Sequence, residues 1–311
     1  MPRVFKPRAL HPGDSIAIIS PSSPADAEKI RAGVRELTLL GFAPLADSAL
    51  PSEEYFSGPA ADRLSQLLGG IGDSRAKALV ALRGGYGSTY LLEPLQRAAL
   101  AGVKPLVGYS DITALEIFLW QTLGWVTFYG PMVASGFDAG AGNPGGYDLA
   151  SFMRAVTETQ TGWTVALEGS ALVEGEAEGV LLGGCLTLIE TTLGTPWELD
   201  TTGAILILED RGMKPWQVDR ALTHLKQAGK LSPLRGIVLG DFPESEPPVK
   251  GSPTVRDVCG RILSPLKVPV VWGAPVGHTA RPMLTLPLGV RARLRSAGTG
   301  FLDVLEPAVI P

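Results

Sequence analysis

Three residue types that together can cleave an amide bond stand near the ends of predicted strands in this 311-residue chain. Ser110 lies in G-Y-S-D, Glu209 directly follows the apolar run A-I-L-I-L, and His278 lies in the loop P-V-G-H-T. A serine, a carboxylate and an imidazole supply a nucleophile, an orienting acid and a general base. The three residues together therefore predict nucleophilic catalysis of acyl transfer.

Ser110 stands where a predicted strand gives way to a predicted helix. Leu106 and Val107 form a short apolar run typical of a parallel strand, and residues 114–123 carry apolar side chains at helical spacing. A serine at such an elbow is held at the carboxyl end of a sheet, beside helical N–H groups that have no intrahelical acceptor. The stretch departs from the full G-x-S-x-G pattern at position 112. A plain helix N-cap by Ser110 or Asp111 therefore stays an alternative.

The two partners of the serine have plainer explanations when each is taken alone. Glu209 follows a buried strand, where an unpaired carboxylate is costly. A partner such as Arg211 or a helix N-terminus would explain its position without any role in catalysis. A histidine in a Gly/Pro loop, such as His278, is commonly a solvated surface residue. His11 precedes every predicted strand and His224 lies in an amphipathic helix, so both are weaker candidates for the base. The combination of all three residue types favours catalysis.

A glycine-rich turn, R-G-G-Y-G at residues 83–87, follows the predicted strand at 78–82. It has neither the G-x-G-x-x-G spacing of a dinucleotide site nor the Gly-Lys-Ser/Thr of a phosphate-binding loop. One interpretation is a tight strand-to-helix turn. The other is that Gly84 and Gly85 direct N–H groups toward the elbow as oxyanion donors, with Arg83 as a cation for a substrate carboxylate.

Composition excludes several classes of protein. The net charge of −4 and the isoelectric point near 5.5 provide no basic surface for nucleic acid or anionic lipid. The basic amino-terminal stretch is followed by no apolar segment, and no run reaches the ~18 apolar residues of a membrane span, so we expect a cytoplasmic protein. Cys185 and Cys259 have no C-x-x-C spacing, which predicts reduced thiols, and with only three histidines a metal site is not expected.

Alternation of apolar runs and helical patterns predicts an α/β protein with a parallel sheet in its amino-terminal half. We predict a first domain over 1–135, a linker over 136–165 and a second, more β-rich domain over 166–311. Strands are predicted at 15–20, 78–82, 126–129 and 204–208, among others, and helices at 24–40, 60–68 and 217–227. The Gly- and Ala-rich stretch 134–147 is predicted to be a loop rather than a packed element, and 183–193 a helix entered through G-G-C-L.

The chain resembles the L,D-carboxypeptidases, serine peptidases of the muramoyl-tetrapeptide carboxypeptidase type that also include the microcin C immunity peptidases. The resemblance covers nearly the whole chain. The motifs that carry it are P-G-D-S-I-A-I-I-S-P-S-S-P, R-G-G-Y-G-S, G-Y-S-D-I-T, T-F-Y-G-P, G-T-P-W, L-I-L-E-D, P-W-Q-V-D-R-A-L, P-V-G-H-T and L-T-L-P-L-G.

The resemblance implies that Ser110 is the nucleophile and that Glu209 and His278 complete a triad. It further implies an oxyanion hole made by the backbone amides of Gly85 and Asp111. It implies a flavodoxin-like amino-terminal domain joined to a β-rich domain, no cofactor, and a homodimer. One departure is visible, because Cys185 stands where the family often has asparagine.

Two substrate classes compete within this family. One is the murein tetrapeptide, which loses its terminal D-alanine during peptidoglycan recycling, and Arg83 suits the free carboxylate of that substrate. The other is an aminoacyl or peptidyl nucleotide analogue, for which Trp197 would be an aromatic platform unless it is a core or interface residue. Arg281 is a second candidate for the carboxylate. The rival of another class is a non-catalytic α/β ligand-binding protein in which Ser110 only caps a helix.

Overall fold

A computed structural model describes residues 3–45, 52–98, 100 and 102–311 of the chain. Residues 1–2, 46–51, 99 and 101 lie outside the described residues; they include the first residues of the basic amino-terminal stretch and part of the predicted first domain.

The first sheet is built by the amino-terminal half. Its parallel strands are β1 (Ser15–Ile19), β2 (Ala43–Leu45), β3 (Ala76–Ala81), β4 (Leu106–Gly108) and β5 (Thr127–Tyr129). They lie in the order β2-β1-β3-β4-β5, which is the flavodoxin-like order. The fold class predicted from the sequence is therefore confirmed, and the strand order reverses between β1 and β3, where ligands bind in such sheets.

The helices of this half follow the strands in sequence. They are α1 (Ala27–Leu39), α2 (Ala60–Gly72), α3 (Leu92–Gln96), α4 (Thr113–Leu123) and α5 (Leu149–Thr157). Asp26 caps α1 through its carboxylate, which accepts from the N–H of Glu28 at 2.8 Å.

The second sheet has eight strands and lies in the carboxyl-terminal half. Its strands are β6 (Trp163–Ala166), β7 (Ser170–Val173), β8 (Gly175–Cys185), β9 (Ala204–Glu209), β10 (Gly236–Gly240), β11 (Val270–Ala274), β13 (Arg291–Ser296) and β14 (Phe301–Val304). The helices of this half are α6 (Leu186–Thr191), α7 (Pro215–Gln227) and α8 (Val255–Leu263). Strands β8 to β11 are parallel, and antiparallel strands extend both edges.

One strand crosses from the second half into the first sheet. Strand β12 (Leu286–Leu288) pairs antiparallel with β5 and completes a six-stranded sheet. Only a few residues separate β12 from His278 along the chain. This pairing therefore ties the loop of His278 to the sheet that carries Ser110.

Helix α4 lies between the two sheets. Its residues from Thr113 to Trp120 are all buried, and its apolar side chains share a core cluster with strands of both sheets. A helix that is apolar all round is buried all round, so the element that follows Ser110 is packed firmly in place.

The stretch 134–147 differs from its prediction as an unpacked loop. Its backbone is irregular, but Phe137 and Tyr147 are fully buried and meet Phe152 of α5 in edge-to-face contacts. Gly33 lets α1 pack closely against the backbone that directly precedes this stretch, since a Cβ on Gly33 would lie 1.9 Å from the carbonyl oxygen of Val133. The domain boundaries at 135 and 166 stay a prediction.

The predicted helix entry at 183–186 is wrong. Strand β8 continues through Cys185, and α6 begins at Leu186. Gly183 and Gly184 permit this because a Cβ on either would collide, with the backbone of Ile207 and with the side chain of Thr113 respectively. In the part of the chain described here, no helix has the length and apolar character needed to cross a membrane.

Candidate active site

The loops at the carboxyl edge of the first sheet enclose a cavity of about 460 Å³. Segments after β1, β3, β4 and β5 line it, joined by single residues from the second half of the chain. Ser110, Gly84 and Gly85 lie on one side, and Arg211 and His278 reach it after β9 and β11. The cavity therefore lies at the edge where an open parallel sheet binds ligands.

Ser110 stands on a strained elbow between β4 and α4. Its φ of 64° lies in the left-handed region, which costs a non-glycine residue roughly 1–2 kcal/mol. Gly108 makes the turn possible, since a Cβ there would lie 2.8 Å from the side chain of Ile112. Strain of this kind persists where the surrounding structure over-determines the backbone, and here it presents the serine to the cavity.

Glu209 and His278 form a buried acid–imidazole pair. The Glu209 side chain is fully buried at the end of β9, and its Oε2 lies 2.9 Å from Nδ1 of His278. The same oxygen accepts the backbone N–H of His278 at 2.8 Å. Gly277 is required beside it, because its φ is +64° and a Cβ would lie 2.3 Å from the carboxyl carbon of Glu209.

The Glu209 carboxylate raises the pKa of the His278 imidazole. Burial by itself lowers the pKa of His278, but the charge of Glu209 and its hydrogen bond to Nδ1 outweigh burial. The pKa of His278 therefore lies above its ordinary value of 6.5. With Nδ1 facing Glu209, Nε2 is the ring nitrogen left for a substrate or a nucleophile.

Tyr129, at the end of β5, connects the pair to the elbow. Its hydroxyl donates to Oε1 of Glu209 at 2.5 Å and accepts the backbone N–H of Ser110 at 3.4 Å. Burial and the nearby Glu209 charge raise the pKa of Tyr129 well above its usual range, so the phenol remains a donor. No prediction from the residues singled out Tyr129, although T-F-Y-G-P contains it.

The glycine-rich turn lies directly against the serine. A Cβ on Gly84 would be 2.9 Å from Cβ of Ser110 and 3.4 Å from the backbone nitrogen of Asp111. Gly85 has a φ of +107°, and its N–H has no acceptor among the residues described. The turn and the first N–H groups of the elbow thus approach each other at the serine.

Among the described residues, the cations Lys29, Arg83 and Arg211 line the cavity, and of these the sequence analysis proposed only Arg83 as a substrate contact. Arg211 pairs with Glu244 through two hydrogen bonds at 2.5 and 3.0 Å, and Lys29 lies 3.4 Å from Asp138. Arg83 donates to the carbonyl of Pro24 at 2.8 Å and, within the described chain, has no carboxylate partner. Arg83 is thus the cavity cation whose charge is uncompensated.

Three other residues named from the sequence lie away from the cavity. Arg281 is held by Asp241 at 3.0 and 3.1 Å, and it is not among the residues lining the cavity. Trp197 packs toward Phe118 of α4, with ring centroids 6.3 Å apart, and it does not line the cavity either. The Cys185 thiol is buried and donates to Asp210 at 3.4 Å.

Arg211, one of the two ordinary partners that the sequence left open for Glu209, is not bonded to it in the described structure. Its guanidinium faces Glu244, while the partners of Glu209 are Tyr129 and His278.

Comparison with known proteins defines the class. The N-terminal domain model of the LD-carboxypeptidases matches residues 16–130, and the C-terminal domain model matches residues 178–294. These matches span well over half of the chain. The chain therefore belongs to the LD-carboxypeptidase family, as the motifs indicated, and it is a peptidase of the carboxypeptidase type.

Individual relatives are similar over nearly their whole length. The probable murein peptide carboxypeptidase of Bacillus subtilis is 34% identical, covering 94% of this chain and 92% of the relative. The crystal structure of muramoyltetrapeptide carboxypeptidase from Oxalobacter formigenes is 31% identical with a TM-score of 0.82, covering 94% and 99%. The microcin C7 self-immunity protein MccF of Escherichia coli is 27% identical over 90% of each chain.

Proposed function

We propose that this protein is a serine L,D-carboxypeptidase that releases the terminal D-alanine of murein tetrapeptides during peptidoglycan recycling. The observation that carries the proposal is Ser110 on its strained elbow, lining the same cavity as His278, whose Nδ1 is held by the buried Glu209. The names of the similar carboxypeptidases favour a murein peptide as substrate.

The chemistry follows from these positions. Nε2 of His278 accepts the Ser110 proton as Oγ attacks the carbonyl carbon of the scissile bond, forming a tetrahedral intermediate. Glu209 holds Nδ1 and stabilises the imidazolium without taking the proton itself. The imidazolium then protonates the amine of the leaving D-alanine. Water attacks the acyl-enzyme next, with Nε2 of His278 accepting its proton and then donating a proton to Oγ of Ser110 as the tripeptide is released.

The negative oxygen of the intermediate is assigned to the backbone N–H groups of Gly85 and Asp111. Both belong to the two segments that meet at Ser110, and the Gly85 N–H is without an acceptor in the described structure. Donors fixed before the reaction stabilise the transition state without reorganising, and each one contributes about 10² to 10³-fold in rate.

The substrate class is tested by incubation with muramoyl tetrapeptide, with the tripeptide and with an aminoacyl sulfamoyl adenosine, followed by mass. Loss of one alanine from the tetrapeptide alone is expected. Release of sulfamoyl adenosine as the main product would instead identify an immunity-type peptidase, the alternative that the similarity to MccF favours. A ligand-binding protein would cleave neither substrate and would not react with a serine-directed phosphonate.

The pH dependence follows from the direction of the His278 pKa. A general base must be neutral, so activity falls as the pH drops through the pKa of His278, which is raised above 6.5. We expect the acid limb of kcat/KM to have its midpoint above pH 6.5. A rate that stays flat from about pH 5 to 9 would contradict a histidine base.

Replacing Arg83 by methionine is expected to lower kcat/KM for the tetrapeptide by roughly 10 to 150-fold, since a charge-assisted pair contributes ~1.5–3 kcal/mol and ~1.4 kcal/mol is tenfold. A tetrapeptide amidated at its C-terminus should be affected much less. Arg211→Met is the matched control, because its guanidinium is already paired with Glu244. Equal fractional losses on acid and amide would show that Arg83 only supports its loop.

Trp197 remains a proposed contact for a nucleotide-like substrate only, and its position against Phe118 gives it no support. We further propose a homodimer that needs no cofactor, on the strength of the family resemblance, and a cytoplasmic location, on the strength of the composition of the sequence.

A further inference from the structure

A buried arginine holds three loops behind the cavity. Arg63 lies in α2 with 1% of its surface exposed. Its Nε donates to the carbonyl of Gly58 at 3.0 Å, and its Nη1 donates to the carbonyls of Gly87, at 2.8 Å, and Pro21. The Phe56 ring covers the guanidinium, with Cζ 4.7 Å from the ring centroid. One side chain thus joins the loop after β1, the segment before α2 and the end of the glycine-rich turn.

The Asp111 carboxylate joins two of the same loops to the elbow. Its Oδ2 accepts from the Ser22 hydroxyl at 2.5 Å and from the Ser88 N–H at 2.8 Å. The Ser88 hydroxyl donates in return to the Asp111 carbonyl at 2.6 Å. Asp111 is 1% exposed, so these bonds are made out of reach of bulk water. The residue next to the nucleophile is therefore fixed to the loop after β1 and to the end of the turn.

Ser23 fixes the middle of the turn. Its N–H donates to the Gly84 carbonyl at 3.2 Å, and its Oγ accepts the N–H of Tyr86 at 3.2 Å. A Cβ on Gly85 would lie 2.4 Å from this Oγ. Gly85 is thus packed against the loop after β1, while its neighbour Gly84 lies against the elbow, so the direction of the Gly85 N–H depends on where that loop lies.

The two buried side chains also balance each other electrically. Burial lowers the pKa of Arg63, and the Asp111 charge opposes this effect. Burial raises the pKa of Asp111, and the bonds from Ser22 and Ser88 together with the Arg63 charge oppose it. Removing one of two compensating buried charges leaves the other uncompensated, which is strongly unfavourable.

We propose that Arg63 and the side chain of Asp111 are positioning residues that hold the turn at 83–87 against Ser110 and so set the geometry of the oxyanion hole. Arg63 does not line the cavity, so it acts through the carbonyls of Pro21 and Gly87. The inference rests on the proposed function, because the hole consists of the Gly85 and Asp111 amides. Donors of this kind must be held within about 0.5 Å to be productive.

The test uses Arg63→Met, which keeps the apolar stem and removes every donor, and Arg63→Lys, which keeps the charge but cannot reach three carbonyls at once. Ser22→Ala, which removes one bond to Asp111, is the mild variant. Arg97→Met is the matched control, since Arg97 is exposed and, among the residues described, its charge pairs only with Glu93. Two assays are run: steady-state kinetics on the tetrapeptide, which give kcat and KM, and labelling of Ser110 by a serine-directed fluorophosphonate, which gives a rate and an end point.

We expect Arg63→Met to lower kcat about 10²-fold with KM changed less than about threefold, since a misplaced oxyanion donor affects the transition state and not the bound substrate. Ser22→Ala should lower kcat about threefold to tenfold. The labelling rate should fall in parallel, because the phosphonate adduct places its oxygen in the same hole. Arg63→Lys should lie between wild type and Arg63→Met, and Arg97→Met should match wild type.

The end point of labelling gives the fraction of molecules with a folded, reactive site, and the rate constant of labelling for those molecules depends on the geometry of the oxyanion hole. A merely structural role would lower the end point and leave the rate per site unchanged; that result for Arg63→Lys and Ser22→Ala would overturn the inference even if Arg63→Met did not fold. Wild-type protein that is not labelled at all would overturn the proposed function, and the inference with it. A labelled wild type with unaffected variants would overturn the inference alone.

Discussion

Replacing Ser110 by alanine is expected to lower kcat on the murein tetrapeptide by about 10⁴-fold or more, because the attacking oxygen is lost while its surroundings remain. Within the described chain the Ser110 hydroxyl makes no hydrogen bond, whereas its backbone N–H bonds to Tyr129 at 3.4 Å and its carbonyl accepts the N–H of Thr113. Folding should therefore be unaffected. Turnover on the tetrapeptide and thermal unfolding, measured on the same samples, check both parts.

Ser110→Gly is the companion variant. This variant also lacks the hydroxyl, so it should be as inactive as Ser110→Ala. Because glycine adopts a φ of 64° without steric cost, its unfolding temperature should be no lower than that of the wild-type protein. Opposite changes in activity and stability at one residue would indicate strain kept for function. Activity of either variant within about tenfold of wild type, a difference of only ~1.4 kcal/mol in barrier, would identify another residue as the nucleophile.

Replacing Glu209 by glutamine is expected to lower kcat by about 10³-fold, less than the loss of Ser110, because the imidazole remains present as a base. The amide can be held in two ways. If its NH₂ faces His278, it opposes the His278 N–H and favours the tautomer with the proton on Nε2, which cannot accept from serine. If its oxygen faces His278, the tautomer is kept but the charge that stabilises the imidazolium is gone.

Both arrangements move the pH profile in the same direction. The charge and hydrogen bond of Glu209 are what raise the pKa of His278, so the acid limb of kcat/KM should shift to lower pH in Glu209→Gln. Glu190→Gln is the matched control, because Glu190 also faces a histidine ring nitrogen, that of His224 at 3.1 Å, on an exposed surface. An unchanged acid limb in Glu209→Gln would show that another group titrates there.

Local sequence patterns placed the three candidate catalytic residues and predicted most strands of the first sheet. Ser110, Glu209 and His278 each follow a strongly apolar strand, and the carboxyl ends of parallel strands are where polar residues gather. Apolar runs of five or six residues and helical spacing of apolar residues report burial along a single element, which is a local property. The positions of the strands and the elbow could therefore be predicted from residues close together in the chain, whereas the flavodoxin-like order of the strands was implied only by the resemblance to the family.

The contacts that make the site were decided only by the tertiary structure. Tyr129 and Glu209 are 80 residues apart, and Arg63 bonds to carbonyls 42 and 24 residues away. Tyrosines and arginines are common, and nothing in their neighbourhood tells which distant carboxylate or carbonyl they will meet. The same reason accounts for β12 joining the first sheet, since its short apolar run fits an edge of either sheet.

The three cations that line the cavity show most clearly which features the sequence predicted and which depended on the tertiary structure. The sequence determined by itself that Arg83 follows a strand and borders the glycines of the turn, so its place at the cavity was predictable. Lys29 lies in a helix and Arg211 follows β9, and both reach the same cavity because separate elements converge there. Which of the three is free to bind a carboxylate depends on Glu244 and Asp138. Those ion pairs form between residues 33 and 109 positions apart, where only packing of the whole chain can bring opposite charges together.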